Sequence, residues 1–166
     1  MSIVQVETAA QRDAVRSLFG EYLNWANQRV QENFGVSFDI ETILNEDMAD
    51  LEKFTPPDGR LLLAAEDDEV AGVACLHRIG PTSAEIKRMY VREAFRGRGL
   101  GRALLDALVE EARLIGYRRL RLDSARFMHA AHALYRSSGF VEIEPYAASE
   151  IPDAFRQHWI FMERAL

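Results

Sequence analysis

One stretch narrows the possible folds more than any other: RMYVREAFRGRGLGRALLDAL, residues 88–108. Residues of β type give way to a run holding Gly97, Gly99 and Gly101, which leads straight into a strong helical pattern. Glycine is disfavoured inside helices and strands, so glycines at alternating positions mark a tight turn joining a strand to a helix. They let the backbone curve closely around an anion, and the unpaired N–H groups of the first helical turn point at it. Arg96, Arg98 and Arg102 frame the turn, and guanidinium groups grip phosphates with paired hydrogen bonds.

The charge distribution points the same way. Net charge is −6, yet residues 1–69 hold 5 Lys/Arg against 15 Asp/Glu, whereas residues 87–121 hold 10 against 4. An acidic chain with one basic block suits a local anionic ligand better than a nucleic-acid surface. A nucleic-acid binder using these arginines would also leave the glycines unexplained. On charge alone, a solvated helix and strand with ordinary arginines fits equally well.

Hydrophobic periodicity supplies the surrounding elements. IVQVE at 3–7 alternates as a strand, Thr8 caps a helix over 9–29, and Asp39 caps another over 39–53. Two strands joined by an acidic hairpin at 66–69 follow, then the strand AEIKRMYV and a helix over 100–115 closed by Gly116. The strand YRRLRLDS, a short helix over 129–138 closed by Gly139, and the strands FVEIEPY and HWIFMERAL complete the chain. The order β α α β β β α β α β β is α/β, with a mixed sheet and helices around one core. At 166 residues and 48% apolar content, one domain over 1–166 is expected. No apolar run approaches the roughly 18–20 residues of a membrane span. The opening MSIVQVETAA lacks the basic start of a secretory signal, and the lone Cys75 fits a reducing compartment. A cytoplasmic protein with no membrane contact is therefore expected.

Two common phosphate loops do not fit the turn. A nucleotide-hydrolysing loop ends in Gly-Lys-Ser/Thr, but Arg102 and Ala103 follow Gly101. A dinucleotide fingerprint needs its third glycine one residue later. Instead, Arg96-x-x-Gly99-x-Gly101 at a helix start resembles the signature of the GCN5-related N-acetyltransferase (GNAT) superfamily. Residues 84–124 look like that family's central strand, pyrophosphate loop, helix and next strand without a gap. AAHALYRSSGFVEIEPY resembles its following helix, where L-Y-x-x-x-G-F recurs.

The resemblance implies a mostly antiparallel mixed sheet, splayed open between two parallel central strands (84–91 and 117–123), with helices on both faces. Acetyl-CoA would be wedged in the opening. Its pyrophosphate would meet the backbone N–H groups of Arg96, Gly97, Arg98, Gly99, Leu100, Gly101 and Arg102. Its pantetheine arm would pair with Met89, Tyr90 and Val91 like an added strand, and the N–H of Met89 or Tyr90 would polarise the thioester carbonyl. Met128 stands where many members carry Asn; it packs on the arm, beside Ala131, without donating a hydrogen bond.

Two side chains take catalytic roles by the same resemblance. Tyr135, in LYRSSGF, matches the tyrosine that protonates the departing thiolate, although its spacing also suits a core tyrosine. Glu85 lies eleven residues before Arg96 and matches a general-base glutamate; as an ordinary strand residue it would face solvent and pair with Lys87 or Arg88. An alkyl ammonium with a pKa of about 10.4 must lose a proton before it attacks. The implied activity is acetyl transfer from acetyl-CoA to a primary amine by direct attack in a ternary complex. The alternative is an inactive acyl-CoA-binding module. The acceptor would be a small-molecule or peptide amine, with no metal, no nucleic acid, and a monomer or homodimer as the working unit. Its site would come from residues 20–55 and 144–158, and the acidic N-terminal half suggests a cationic acceptor.

His129 and His132 share a helix face with no carboxylate or thiol nearby in sequence, so a metal site is not expected. Cys75 reads as a buried strand thiol. Trp25, Phe34 and Phe38 line either the core or the acceptor cleft.

Overall fold

The computed structural model describes Met1–Leu166. Its elements are β1 (Ser2–Gln5), α1 (Ala9–Phe34), α2 (Ile40–Ala49), β2 (Arg60–Glu66), β3 (Glu69–Arg78), β4 (Ser83–Val91), α3 (Leu100–Ile115), β5 (Arg119–Ala125), α4 (His129–Ser137), β6 (Val141–Ile143) and β7 (Trp159–Ala165). Short 3₁₀ turns occupy Leu51–Phe54, Glu93–Phe95 and Asp153–His158.

The seven strands form one sheet in the order β1-β2-β3-β4-β5-β7-β6. Every pairing is antiparallel except β4 with β5. Both faces are covered, so the central strands bury both sets of alternating side chains. Leu62 and Ala64 of β2 join the core under α3, while Leu61 and Leu63 join the core under α1. Leu100, Leu104, Leu105, Leu108 and Ala112 form the buried stripe of α3. On the other face, Val15, Leu18 and Phe19 of α1 pack with Phe54, Val73 and Cys75. A third apolar group, with Val30, Tyr146, Ile151, Trp159 and Phe161, closes the end where α1 meets β7.

Three boundaries differ from the periodicity. Helix α1 begins as expected, with a reciprocal Thr8–Gln11 capping box, but continues past residue 29 to Phe34. Val30 is buried there and extends the apolar stripe; Gly35, at φ 68°, then ends the helix in a left-handed turn. Helix α2 stops at Ala49, and a 3₁₀ turn carries Phe54 into the core. The strand expected over FVEIEPY pairs only at Val141–Ile143. Beyond it Pro145 has no N–H for a ladder, and Tyr146 turns inward to bond Glu85.

Candidate active site

The site begins with an irregularity in β4. Tyr90 pairs with Val73 and Lys87 with Cys75, so β4 carries one residue more than β3 over this span. Arg88 adopts a left-handed φ of 51°, a conformation that costs a non-glycine residue roughly 1–3 kcal/mol when surrounding contacts must hold it. Those contacts are two carboxylates. Arg88 Nε and Nη2 donate to Asp47 at 2.6 and 3.1 Å, and Nη1 and Nη2 donate to Glu150 at 2.7 and 3.2 Å. Opposite the bulge, a Cβ on Gly72 would stand 2.8 Å from the Tyr90 carbonyl oxygen. Glycine there lets β3 approach the displaced strand.

The bulge coincides with a parting of the sheet. β4 and β5 pair only at Ser83, Ala84 and Glu85 with Arg119, Leu120 and Arg121. Beyond that the strands run on separately to Val91 and Ala125, and a cavity of about 490 Å³ opens between them. Met89, Tyr90, Val91, Arg96, Gly97, Gly99, Leu100, Gly101, Met128, Ala131 and Tyr135 all line it. Gly97 and Gly99 sit at φ 77° and 86°, and Gly99 precedes α3 with no side-chain cap. The first N–H groups of α3 are thus left for a ligand, at the positive end of the helix dipole. Arg96 lies across Trp25 and Tyr90, its guanidinium carbon 5.3 and 5.8 Å from the ring centres.

Arg98 and Arg102 belong to the turn but do not line the cavity. Arg98 pairs with Glu66 at 3.1 Å, and Arg102 bonds the Ser137 hydroxyl. Tyr135 is buried on α4 and lines the cavity. Burial, then the neighbouring Tyr22 and Asp123, push its pKa well above the usual phenol value, so it holds its proton at neutral pH. Met128 precedes α4, and its sulfur accepts a bond from Ser124 at 3.5 Å.

Glu85 is not brought to the cavity. It is 1% exposed, one carboxylate oxygen 2.9 Å from His77 Nε2 and the other accepting from the Tyr146 hydroxyl at 2.7 Å. It precedes the bulge, where β4 and β5 are still joined, and so lies below the opening. Lys87, which does line the cavity, bonds Glu150 at 2.6 Å and stands 4.0 Å from Glu85.

A second cavity of about 350 Å³ adjoins the first and shares Tyr22, Arg88, Asp123, Ser124, Met128 and Glu150 with it. Asp123 was not singled out from the sequence. It stands two residues beyond the last β4–β5 pair; a carboxylate at the C-terminal end of a central strand was the available signal. Ser149 donates to its Oδ2 at 2.8 Å. Burial, then Glu85 and Glu150, raise its pKa to about 7. Burial acts the same way on Glu150, but Arg88 and Lys87 outweigh it and hold that carboxyl at about 2.

The other candidates resolve into packing. His132 is buried with Nε2 3.0 Å from the Ser124 hydroxyl, while His129 is exposed. No group of three or more His, Cys, Asp or Glu side chains is arranged for a metal ion. Cys75 is fully buried, which pushes its thiol far above the usual range. Trp25 lines the first cavity, Phe38 the second, and Phe34 stacks on His158 at 4.4 Å. No helix is long and apolar enough to cross a membrane.

The profile of the acetyltransferase (GNAT) family matches residues 19–140. The chain belongs to this family. An uncharacterized N-acetyltransferase from Schizosaccharomyces pombe is 31% identical over 155 residues, covering 92% of this chain and 90% of that one. The fold matches an acetyltransferase of the GNAT family from Staphylococcus aureus at a TM-score of 0.76, with 19% identity over 99% of this chain and 98% of that one. It also matches the PaiA N-acetyltransferase from Thermoplasma acidophilum, solved in complex with coenzyme A, at a TM-score of 0.73, with 18% identity and all of both chains covered. This GNAT protein is accordingly an N-acyltransferase, and its mostly antiparallel sheet with one parallel pair is the family's fold.

Proposed function

We propose that the enzyme moves an acetyl group from acetyl-CoA to a primary amine by direct attack within a ternary complex. The observation that carries this is the cavity between β4 and β5, whose walls include the uncapped start of α3 and Tyr135. The pyrophosphate of acetyl-CoA sits on the N–H groups of the 96–102 turn. The pantetheine arm runs along Met89–Val91 and passes Met128 and Ala131. The N–H of Met89 or Tyr90 meets the thioester oxygen, where negative charge develops in the transition state.

Tyr135 gives its proton to the thiolate as the C–S bond breaks. Its raised pKa keeps it protonated at neutral pH, and the phenolate left behind, a stronger base than the thiolate, takes up the proton of the attacking nitrogen. Glu85, the base expected from the family resemblance, lies beneath the cleft and reaches the amine only through an intermediary; its charge raises the pKa of Asp123, the carboxylate that faces the opening. No covalent enzyme intermediate is needed, because the one thiol, Cys75, is sealed in the core.

A thiol-release assay with acetyl-CoA against primary amines, amino acids, polyamines and peptides tests this. Amine-dependent release is expected, together with an acetyl-CoA-induced rise in melting temperature. Stabilisation by CoA with no release for any acceptor would instead mark an inactive binding module.

A further inference from the structure

The second cavity has walls that select an acceptor. Its volume of about 350 Å³ lies at the lower end of the roughly 300–1,000 Å³ of small-molecule pockets. That suits a compact molecule better than a peptide. Leu23, Val30, Phe38, Ile43 and Trp159 make it apolar. Its charged groups are Glu46, Asp47, Asp123 and Glu150 against Arg88 alone. All four side-chain hydrogen bonds of Arg88 go to Asp47 and Glu150. No free cation in the wall could receive a substrate carboxylate or phosphate, and the surplus of carboxylates would repel one.

The same surplus favours an ammonium, and one carboxylate is placed to receive it. Asp123 stands where the two cavities meet, and its Oδ1 has no partner in the protein. Glu150 is committed to Arg88 and Lys87, and Glu85 to His77 and Tyr146.

From this arrangement we infer that the second cavity takes a primary amine with a compact apolar body and no carboxylate, and that Asp123 anchors its ammonium and accepts its proton. The inference rests on the acetyl-transfer reading above. Asp123 removes one proton from the ammonium. The free amine adds to the thioester carbonyl, forming the N–C bond. As the C–S bond breaks, Tyr135 protonates the thiolate and recovers a proton from the attacking nitrogen. Asp123 releases its proton to water, leaving the N-acetyl amine and CoA thiol. The groups around Asp123 are Glu85, Lys87 and Arg88 from β4, Ser149 and Glu150 from the loop before β7, Tyr22 from α1, Asp47 from α2, Tyr135 from α4, and Tyr146. Their balance places the carboxyl near neutrality, where a general base works best.

The test is steady-state thiol release at saturating acetyl-CoA with 2-phenylethylamine, phenylalanine, spermidine and a lysine-containing tetrapeptide. The expected kcat/KM for 2-phenylethylamine exceeds that for phenylalanine by at least about 100-fold, because a carboxylate would be buried among like charges. Asp123→Asn should lower kcat/KM for 2-phenylethylamine by about 10²–10⁴-fold while CoA-induced stabilisation is kept. It should also abolish the rise of kcat/KM through about pH 7 expected of the parent. Ala26→Leu, which adds bulk to the wall of the second cavity alone, should raise KM for the amine and leave KM for acetyl-CoA unchanged. Three results would each overturn the inference: phenylalanine, spermidine or the peptide used as well as 2-phenylethylamine; no turnover of 2-phenylethylamine; or an Asp123→Asn enzyme within about threefold of the parent. Acetylation of amino acids would sink the inference and leave acetyl transfer standing. Absence of any CoA stabilisation would sink acetyl transfer itself.

Discussion

Arg88 holds the bulge of β4 with one guanidinium spread over two carboxylates. It is 8% exposed, and Asp47 is 7% exposed. Removing the arginine leaves Asp47 buried without its counter-charge, a change that typically costs about 3–5 kcal/mol. Arg88→Ala should therefore lower unfolding free energy by about 3 kcal/mol in urea titrations, less any relief of the left-handed backbone. Arg88→Lys should not restore it, because an ammonium cannot make the forked contacts. Asp123 carries a different signature. Unfolded, its carboxyl titrates near about 3.9; folded, near about 7. Between those values the folded chain holds a proton that the unfolded chain has released. The stability linked to Asp123 is full below about pH 4 and is lost as pH rises through about 7. Asp123→Asn should be more stable than the parent at pH 8 by a few degrees in melting temperature, with the gap closing toward pH 4. None of this was visible in sequence. RLDS reads as a strand end, and the carboxylates that crowd Asp123 come from residues 85 and 150.

The glycine turn and α3 were the most legible elements, because the turn's chemistry is local. Gly97 and Gly99 need positive φ, and the helix after them carries its own apolar stripe. Gly99→Ala forces a side chain into the left-handed region, at about 1–2 kcal/mol, and moves the N–H groups that face the cavity. Binding of CoA, followed by calorimetry, should weaken about tenfold or more, with a smaller loss of stability. The bulge in β4 was not legible, since its left-handed position is an arginine and no glycine or proline marks it. Glu85 shows the cost of that. Counting along β4 gives its distance from Arg96 but not where β4 and β5 stop pairing. That stopping point decides which carboxylates face the opening and which lie below it. Helix α1 ran longer than its capping signals implied because Val30 and Phe34 find partners on β7 and in the loop before it.

Across the whole molecule, the order of elements and the α/β class followed from periodicity, since each central strand is covered on both faces and each helix has one apolar stripe. The acceptor side did not follow. Tyr22, Asp47, Arg88, Asp123 and Glu150 come from five separate segments and meet only when the sheet parts. The division of labour is physical. In the proposed reaction, one cavity would offer backbone N–H groups and a helix start to a polyanion, and the other would offer carboxylates and apolar walls to a cation. The parting of β4 from β5 brings the two together above Glu85. Tyr135 lines the donor cavity and is the proposed proton donor, so it reports on the central claim. The decisive measurement is single-turnover acetyl transfer by Tyr135→Phe beside the parent, with CoA affinity measured on both. The expected result is unchanged CoA affinity with transfer slowed about 10²-fold or more. Transfer at the parent rate, with CoA bound as tightly, would contradict the claim that the Tyr135 proton completes the reaction in this cavity.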